Sequence, residues 1–214
     1  MASVNFVKGS LKGRVGQFIG SSWKGIDYIK TYTPPRNPRT EGQVAIRTIF
    51  QHCAHLGKAI NEGVLKPYTF PRPVKMTAYN RMIQINKELF NALAWDQAKL
   101  KIFEGSLFNP GITAAVIEGS GTSAVAVKVT FANTTGDGTD KAIAVIHDEA
   151  TETTLYAVSD RAAGEVDIPI GTIDQADLSL LHAYLVFSRP PAHGTGETGE
   201  VSSTAYLKVP GPTP

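Results

Sequence analysis

Cysteine is almost absent from this chain of 214 residues: Cys53 stands alone, beside three methionines and two tryptophans. A single thiol cannot close an internal disulfide, and no Cys/His spacing suits zinc, so stability must come from burial. No run of eighteen apolar residues occurs, which excludes a membrane-spanning helix on sequence grounds. The opening MASVNFVKGSLKGR lacks the apolar core and small-residue cleavage pattern of a signal peptide, so the expectation is a soluble chain made in a cytoplasm, with no membrane partner. Motifs for chemistry are missing too. The glycines at 9, 13, 16, 20 and 25 do not read G-x-G-x-x-G and are not followed by G-K-[ST]; there is no G-x-S-x-G elbow, no H-E-x-x-H and no calcium loop. The expectation is a non-enzyme with no catalytic, cofactor-binding or metal-binding residues. Hydrophobic residues make up 42% of the chain and excess charge is small, at +2, which excludes disorder as the dominant state.

That small net charge hides a split. Residues 1–100 carry 15 Lys and Arg against 5 acids, and residues 101–214 carry 6 against 14. The first 47 residues concentrate the cations at Lys8, Lys12, Arg14, Lys24, Lys30, Arg36, Arg39 and Arg47. Such an arm can neutralise phosphates, or it can lie on the acidic half of a neighbouring copy.

Glycines are too dense over residues 9–25 for a helix interior. Arg14 to Ile19 and Ile26 to Thr31 are rich in β-branched and aromatic residues, and GSSWKG between them predicts a β-hairpin. A lone hairpin needs a further strand or a neighbour to cover it. Prolines 34, 35 and 38 force an extended path. Thr40-Glu41-Gly42-Gln43 matches a capping box, predicting a helix with Ile46, Ile49, Phe50, Cys53, Leu56 and Ile60 as its apolar stripe and Gly63 as its cap. Cys53 reads as core. His52 and His55 can share a helical face, with no carboxylate placed beside them by the local sequence. A second helix is predicted over Thr77 to Leu93, completing an αα-hairpin whose apolar side holds Tyr79, Met82, Ile83, Leu89, Phe90 and Leu93.

Composition changes after Asp96. Period-two patterns predict strands at Lys99–Leu107, Ile112–Ile117, Ala124–Phe131, Ala142–His147, Thr153–Ala157, Glu165–Pro169, Leu178–Ser188 and Ser202–Val209. Seven or eight short strands in about 110 residues point to an immunoglobulin- or fibronectin-type β-sandwich without the Cys…Trp…Cys signature. The predicted fold is α+β, with residues 1–97 forming the arm, hairpin and two helices and residues 98–214 the sandwich. His147-Asp148-Glu149 and Asp174 to Asp177 read as solvated turn carboxylates.

The stretch KGSLKGRVGQFIGSSWKGIDYIKTY, followed by NPRTEGQVAIRTIF, a helix, EGSL and a closing EVSSTAYL, resembles an uncharacterised family of bacterial and prophage-associated proteins. The likeness is most specific at Asn37, Pro38, Arg39, Thr40, Gln43, Arg47 and Phe50 and spans nearly the whole chain. It implies no known enzyme activity and a neighbourhood of phage structural genes. The expected role is a virion structural protein (capsid, decoration or tail) that self-associates or meets neighbouring virion proteins through its arm. The candidate interface residues are Arg14, Phe18, Trp23, Lys24, Tyr28, Lys30, Arg36, Arg39 and Arg47. Aromatic and basic groups alternate at Trp23-Lys24 and Tyr28/Lys30, so nucleic-acid contact by residues 1–47 is a further expectation. The expected location is the virion, assembled in the bacterial cytoplasm, or otherwise the cytoplasm itself. The alternative is a binding module that recognises glycan, protein or nucleic acid through the sandwich loops at Gly119–Gly121, Gly136–Gly138 and Pro190–Gly199 or through the basic arm.

Overall fold

A computed structural model describes the chain except residues 1–2, 6–9, 24–25, 35, 72–74, 119–125, 133–138, 172–179, 192–198 and 211–214. The expected turn of Asp174 to Asp177, the glycine loops at 119–121 and 136–138, and most of the 190–199 loop lie outside the described residues. Among the described residues the protein mixes helices with three sheets and forms no barrel. Among the described residues no helix is long and apolar enough to cross a membrane.

Two compact units divide at Thr40/Glu41. The first is a four-stranded antiparallel sheet in sequence order: β1 (Ser3–Asn5), β2 (Ser10–Val15), β3 (Phe18–Trp23) and β4 (Ile26–Thr31). The single strand predicted over Arg14 to Ile19 is in fact a hairpin. Val15 pairs with Phe18 across Gly16-Gln17, and Gly16 takes φ +57, as the first central residue of a tight hairpin turn requires. The predicted two-stranded hairpin is therefore a sheet of twice that size.

The second unit opens with α1 (Glu41–Ile60), starting where the capping pattern predicts. The reciprocal arm of that box is not made, because Gln43 Oε1 is buried without a partner. The buried stripe is Ile49, Cys53, Leu56 and Ile60, and the outer members of the predicted stripe, Ile46 and Phe50, are exposed. Gly63 does not end the helix. The chain continues through a π-helical turn, Asn61–Leu65, to α2 (Lys66–Tyr68). Gly63 is needed there because a Cβ would overlap the Tyr156 ring. The second predicted helix is split into α3 (Ala78–Ile85) and α4 (Lys87–Ala92), with Thr77 capping Asn80 N at 3.1 Å and Leu93 ending the run at φ +53, exposed. Asn86 causes the break. Its side chain donates to the Met82 and Lys101 carbonyls (2.8 and 2.7 Å) and accepts from Lys101 N (2.8 Å).

The strand predicted over Lys99–Leu107 does not form. A short 3-10 turn (Gln97–Lys99) leads into an irregular segment that still buries Leu100, Ile102 and Phe103. Its backbone groups are satisfied by side chains instead of a ladder: Ile102 N and Phe103 N both donate to Thr204 Oγ1, which donates back to Phe103 O. Strands β5 (Ala114–Glu118), β6 (Ala126–Thr130), β7 (Lys141–Asp148), β8 (Thr154–Asp160), β9 (Glu165–Pro169) and β10 (Leu181–Arg189) overlap the predicted ones, whereas β11 (Glu200–Val201) falls where no strand is predicted and the predicted Ser202–Val209 strand shortens to β12 (Ala205–Lys208). They form a three-stranded sheet, β5-β6-β9, and a five-stranded sheet, β11-β10-β7-β8 with β12 also on β10.

Strands β7 and β10 explain why the helices belong to this unit. Ala142, Ala144 and Ile146 with Leu181, Ala183, Leu185 and Phe187 pack toward the three-stranded sheet in one core. Their neighbours Ile143, Val145, Tyr184 and Val186 join Ile49, Leu56, Met82 and Leu89 of the helices in a second. Burial on both faces gives both strands near-continuous apolar sequence. The composition shift at residue 97 thus falls inside a shared core, and the helical pair goes with the sheets, not with the arm.

Candidate functional site

Cross-strand neighbours in an antiparallel sheet point to the same side, so register alone sorts the residues of the N-terminal sheet. Arg14 opposes Ile19, Ile19 opposes Lys30, Ser21 opposes Tyr28 and Trp23 opposes Ile26. These residues share one face. Val15 opposes Phe18, Phe18 opposes Thr31, Gly20 opposes Ile29 and Ser22 opposes Asp27 on the other. Arg14, Tyr28 and Lys30 therefore share one face with Ile19, Ser21 and Ile26, while Phe18 lies with Val15 and Ile29 on the other, the more apolar face despite Asp27 at its edge. Every described residue of β4 is exposed, and Phe18 and Ile29 are 54% and 61% exposed. The Arg14 guanidinium lies 3.7 Å over the Tyr32 ring, and its Nε donates to Gly16 O at 3.0 Å.

The other expected interface residues scatter. Lys24 lies outside the described residues, and of Trp23 only the backbone position in β3 is described. Arg36 and Arg39 are exposed in the stretch without helix or strand that precedes α1. Arg47 belongs to the second unit: it sits on α1 beside an open apolar depression of about 500 Å³ lined by Ile46, Phe50, Gln51, Ala54 and His55. Residues 1–40 hold seven Lys and Arg against Asp27, a net +6, which leaves −4 on residues 41–214.

A second constellation lay hidden from the sequence. Glu152, in a left-handed conformation at φ +54, accepts from both histidines of α1: His52 Nδ1 at 3.2 Å and His55 Nδ1 at 2.8 Å. His52 stacks on Trp95 with centroids 4.9 Å apart. Asp148 shapes the turn that presents Glu152, accepting from Ala150 N (2.9 Å) and Thr151 Oγ1 (2.5 Å). His147 and Asp148, expected on a solvated turn, are instead buried at the end of β7. His147 Nδ1 pairs with Thr154 Oγ1 at 3.0 Å, and its cross-strand neighbour His182 pairs with Glu149 (3.1 Å) and Tyr206 (2.9 Å). Burial, reinforced by His182, pushes the His147 imidazole down to about 4. No local pattern signals this cluster, since its members come from α1, β7, the β7–β8 turn and β10. Among the described residues no group of three or more His, Cys, Asp or Glu is arranged to hold a metal ion.

Elsewhere the ionisable groups are structural. Asp140, fully buried, accepts from Arg189 Nε (2.7 Å) and Arg161 Nη1 (3.2 Å), and the Arg161 guanidinium also lies 4.3 Å over Phe187. Burial raises the Cys53 thiol to about 11, which removes it as a nucleophile at neutral pH.

Neither the curated proteins nor the solved structures contain a significant match to this chain. A family of unknown function, DUF6266, matches residues 10–184, from the first residue of β2 to the middle of β10. Because that match takes in the N-terminal sheet, the helices and most of the sheet unit together, the chain belongs to DUF6266.

Proposed function

We propose that this protein is a non-enzymatic assembly component, of the phage or prophage-like virion type, which associates with further copies of itself or with neighbouring virion proteins through its N-terminal sheet. One observation carries the reading: the apolar side of a four-stranded sheet, with Val15, Phe18 and Ile29, is exposed. Exposed apolar surface of this kind marks contact sites, and small sheets reach stability by covering such a face. The opposite net charges of residues 1–40 and 41–214 favour head-to-tail association, which closes into rings or extends into filaments. The second unit supplies the rigid body. Its strand order, β5-β6-β9 facing β12/β11-β10-β7-β8, supports an immunoglobulin- or fibronectin-type sandwich, with three strands on one side and a central pair carrying the terminal strands on the other.

Sedimentation velocity and negative-stain microscopy of the full chain test the proposal. Concentration-dependent higher-order species are expected for the full chain, and loss of them on deleting residues 1–36 or on Phe18→Ser with Ile29→Ser. A strict monomer at high concentration, unchanged by either alteration, overturns it.

A further inference from the structure

We propose that the face of the N-terminal sheet opposite the apolar one is a platform for single-stranded nucleic acid. This goes beyond the assembly reading and uses the other side of the same sheet. Register brings Arg14 of β2 and Tyr28 and Lys30 of β4 to this face, with β3 between the two strands. Tyr28 is 41% exposed, and Tyr32, stacked under the Arg14 guanidinium at 3.7 Å, extends the aromatic surface beyond the end of β4.

Two features favour nucleic acid over an acidic protein surface. The first is charge: residues 1–40 carry +6, and their one acid, Asp27, falls on the other face, so Arg14 and Lys30 share this one with Ile19, Ser21, Ile26 and Tyr28 and with no carboxylate. The second is the alternation of ring and cation. Tyr28 and Lys30 are two residues apart along one strand, about 6.6 Å, close to the span of one extended nucleotide. A base can lie on the tyrosine while Lys30 meets the adjoining phosphate. Sequence-tolerant single-strand binders combine these two elements, a basic track and aromatic rings that stack bases.

The test uses the full-length chain and a fluorescein-labelled oligothymidylate of about 20 nucleotides, longer than the roughly 16-nucleotide footprint of a large single-strand site. Anisotropy is measured across a salt series. Binding is expected to weaken with salt, to exceed binding to a duplex of equal length, and to fall about five- to hundred-fold in Tyr28→Ala, the range that one stacked base supplies. Arg14→Ala with Lys30→Ala should lower the slope of log affinity against log salt by about 1.4, two cations at about 0.7 each on a single strand. Phe18→Ser with Ile29→Ser, on the opposite face, should lose self-association and keep the salt slope. Absence of binding at low salt, duplex bound as well as single strand, or a larger loss in the Phe18/Ile29 variant than in the Arg14/Lys30 variant each overturns the proposal. If the Arg14/Lys30 variant loses self-association while the parent binds no oligonucleotide, the face docks on acidic protein and the nucleic-acid assignment falls. Oligonucleotide affinity and its salt slope are read separately from self-association, so the two readings fail separately.

Discussion

His147 is the residue whose environment has the largest measurable consequence. Its neutral ring sits at the end of β7 against Thr154, with His182 across the strand pair and Asp148, His52 and Glu152 also acting on it. Folding lowers its pKa from 6.5 to about 4, so between those values the unfolded chain takes up a proton that the folded chain refuses. Stability is therefore intact above about pH 6.5 and is lost as the pH falls toward 4, by about 3 kcal/mol in total. Urea unfolding from pH 7.5 to 4 should show this loss in the parent and about 3 kcal/mol less of it in His147→Gln. Equal acid sensitivity in the two proteins would assign the effect elsewhere. At this scale the sequence was informative where a residue acts through its own element. Cys53 reads as core from its place in an apolar stripe, and it is core. It was silent where partners come from far along the chain, as with Glu152 beside His52 and His55.

At the scale of elements, Asn86 shows how a single polar side chain redirects a helix. Periodicity alone predicts one helix over residues 77–93, because Met82 and Leu89 keep helical spacing across the break. What periodicity cannot report is that Lys101 lies against that turn and draws both of its backbone groups to the Asn86 amide. Asn86→Ala removes three hydrogen bonds and strands buried backbone groups of Met82 and Lys101, so a loss of about 3 kcal/mol is expected from chemical denaturation. A change below about 1 kcal/mol would mean the segment after α4 is held by its apolar residues instead. The same cause explains the missing strand at Lys99–Leu107, where Thr204 replaces a ladder partner, and the helix that runs past Gly63, where the glycine admits Tyr156. Strands β5 to β10 were legible because alternation and turn residues are local properties. The N-terminal sheet was half legible: its β-content showed, but Gly16-Gln17 was read as part of a strand.

At the scale of the molecule, composition located the α+β character and the charge split, and misjudged which parts cohere. Helices and strands differ in residue usage, so the shift near residue 97 looks like a boundary. A core ignores that distinction, and Tyr184 joins the two sides, its hydroxyl donating to Gln97 Oε1 at 2.7 Å and its ring packing among helix side chains. Residues 41–100 bury their apolar side on the five-stranded sheet, so the proposal of an outside partner concerns residues 1–40 alone. Between the units, the residues from Thr33 to Thr40 that are described form no helix or strand and lie exposed. Arg36 and Arg39 fall in that stretch, each followed by a residue other than proline. A dilute trypsin digest should therefore cut there before it reaches the folded body and leave a lasting fragment that begins at Asn37 or Thr40, readable by mass spectrometry. Such a cut would detach the N-terminal sheet from the folded body, and under the proposed assembly, resistance to the protease would become a direct gauge of how far association has gone.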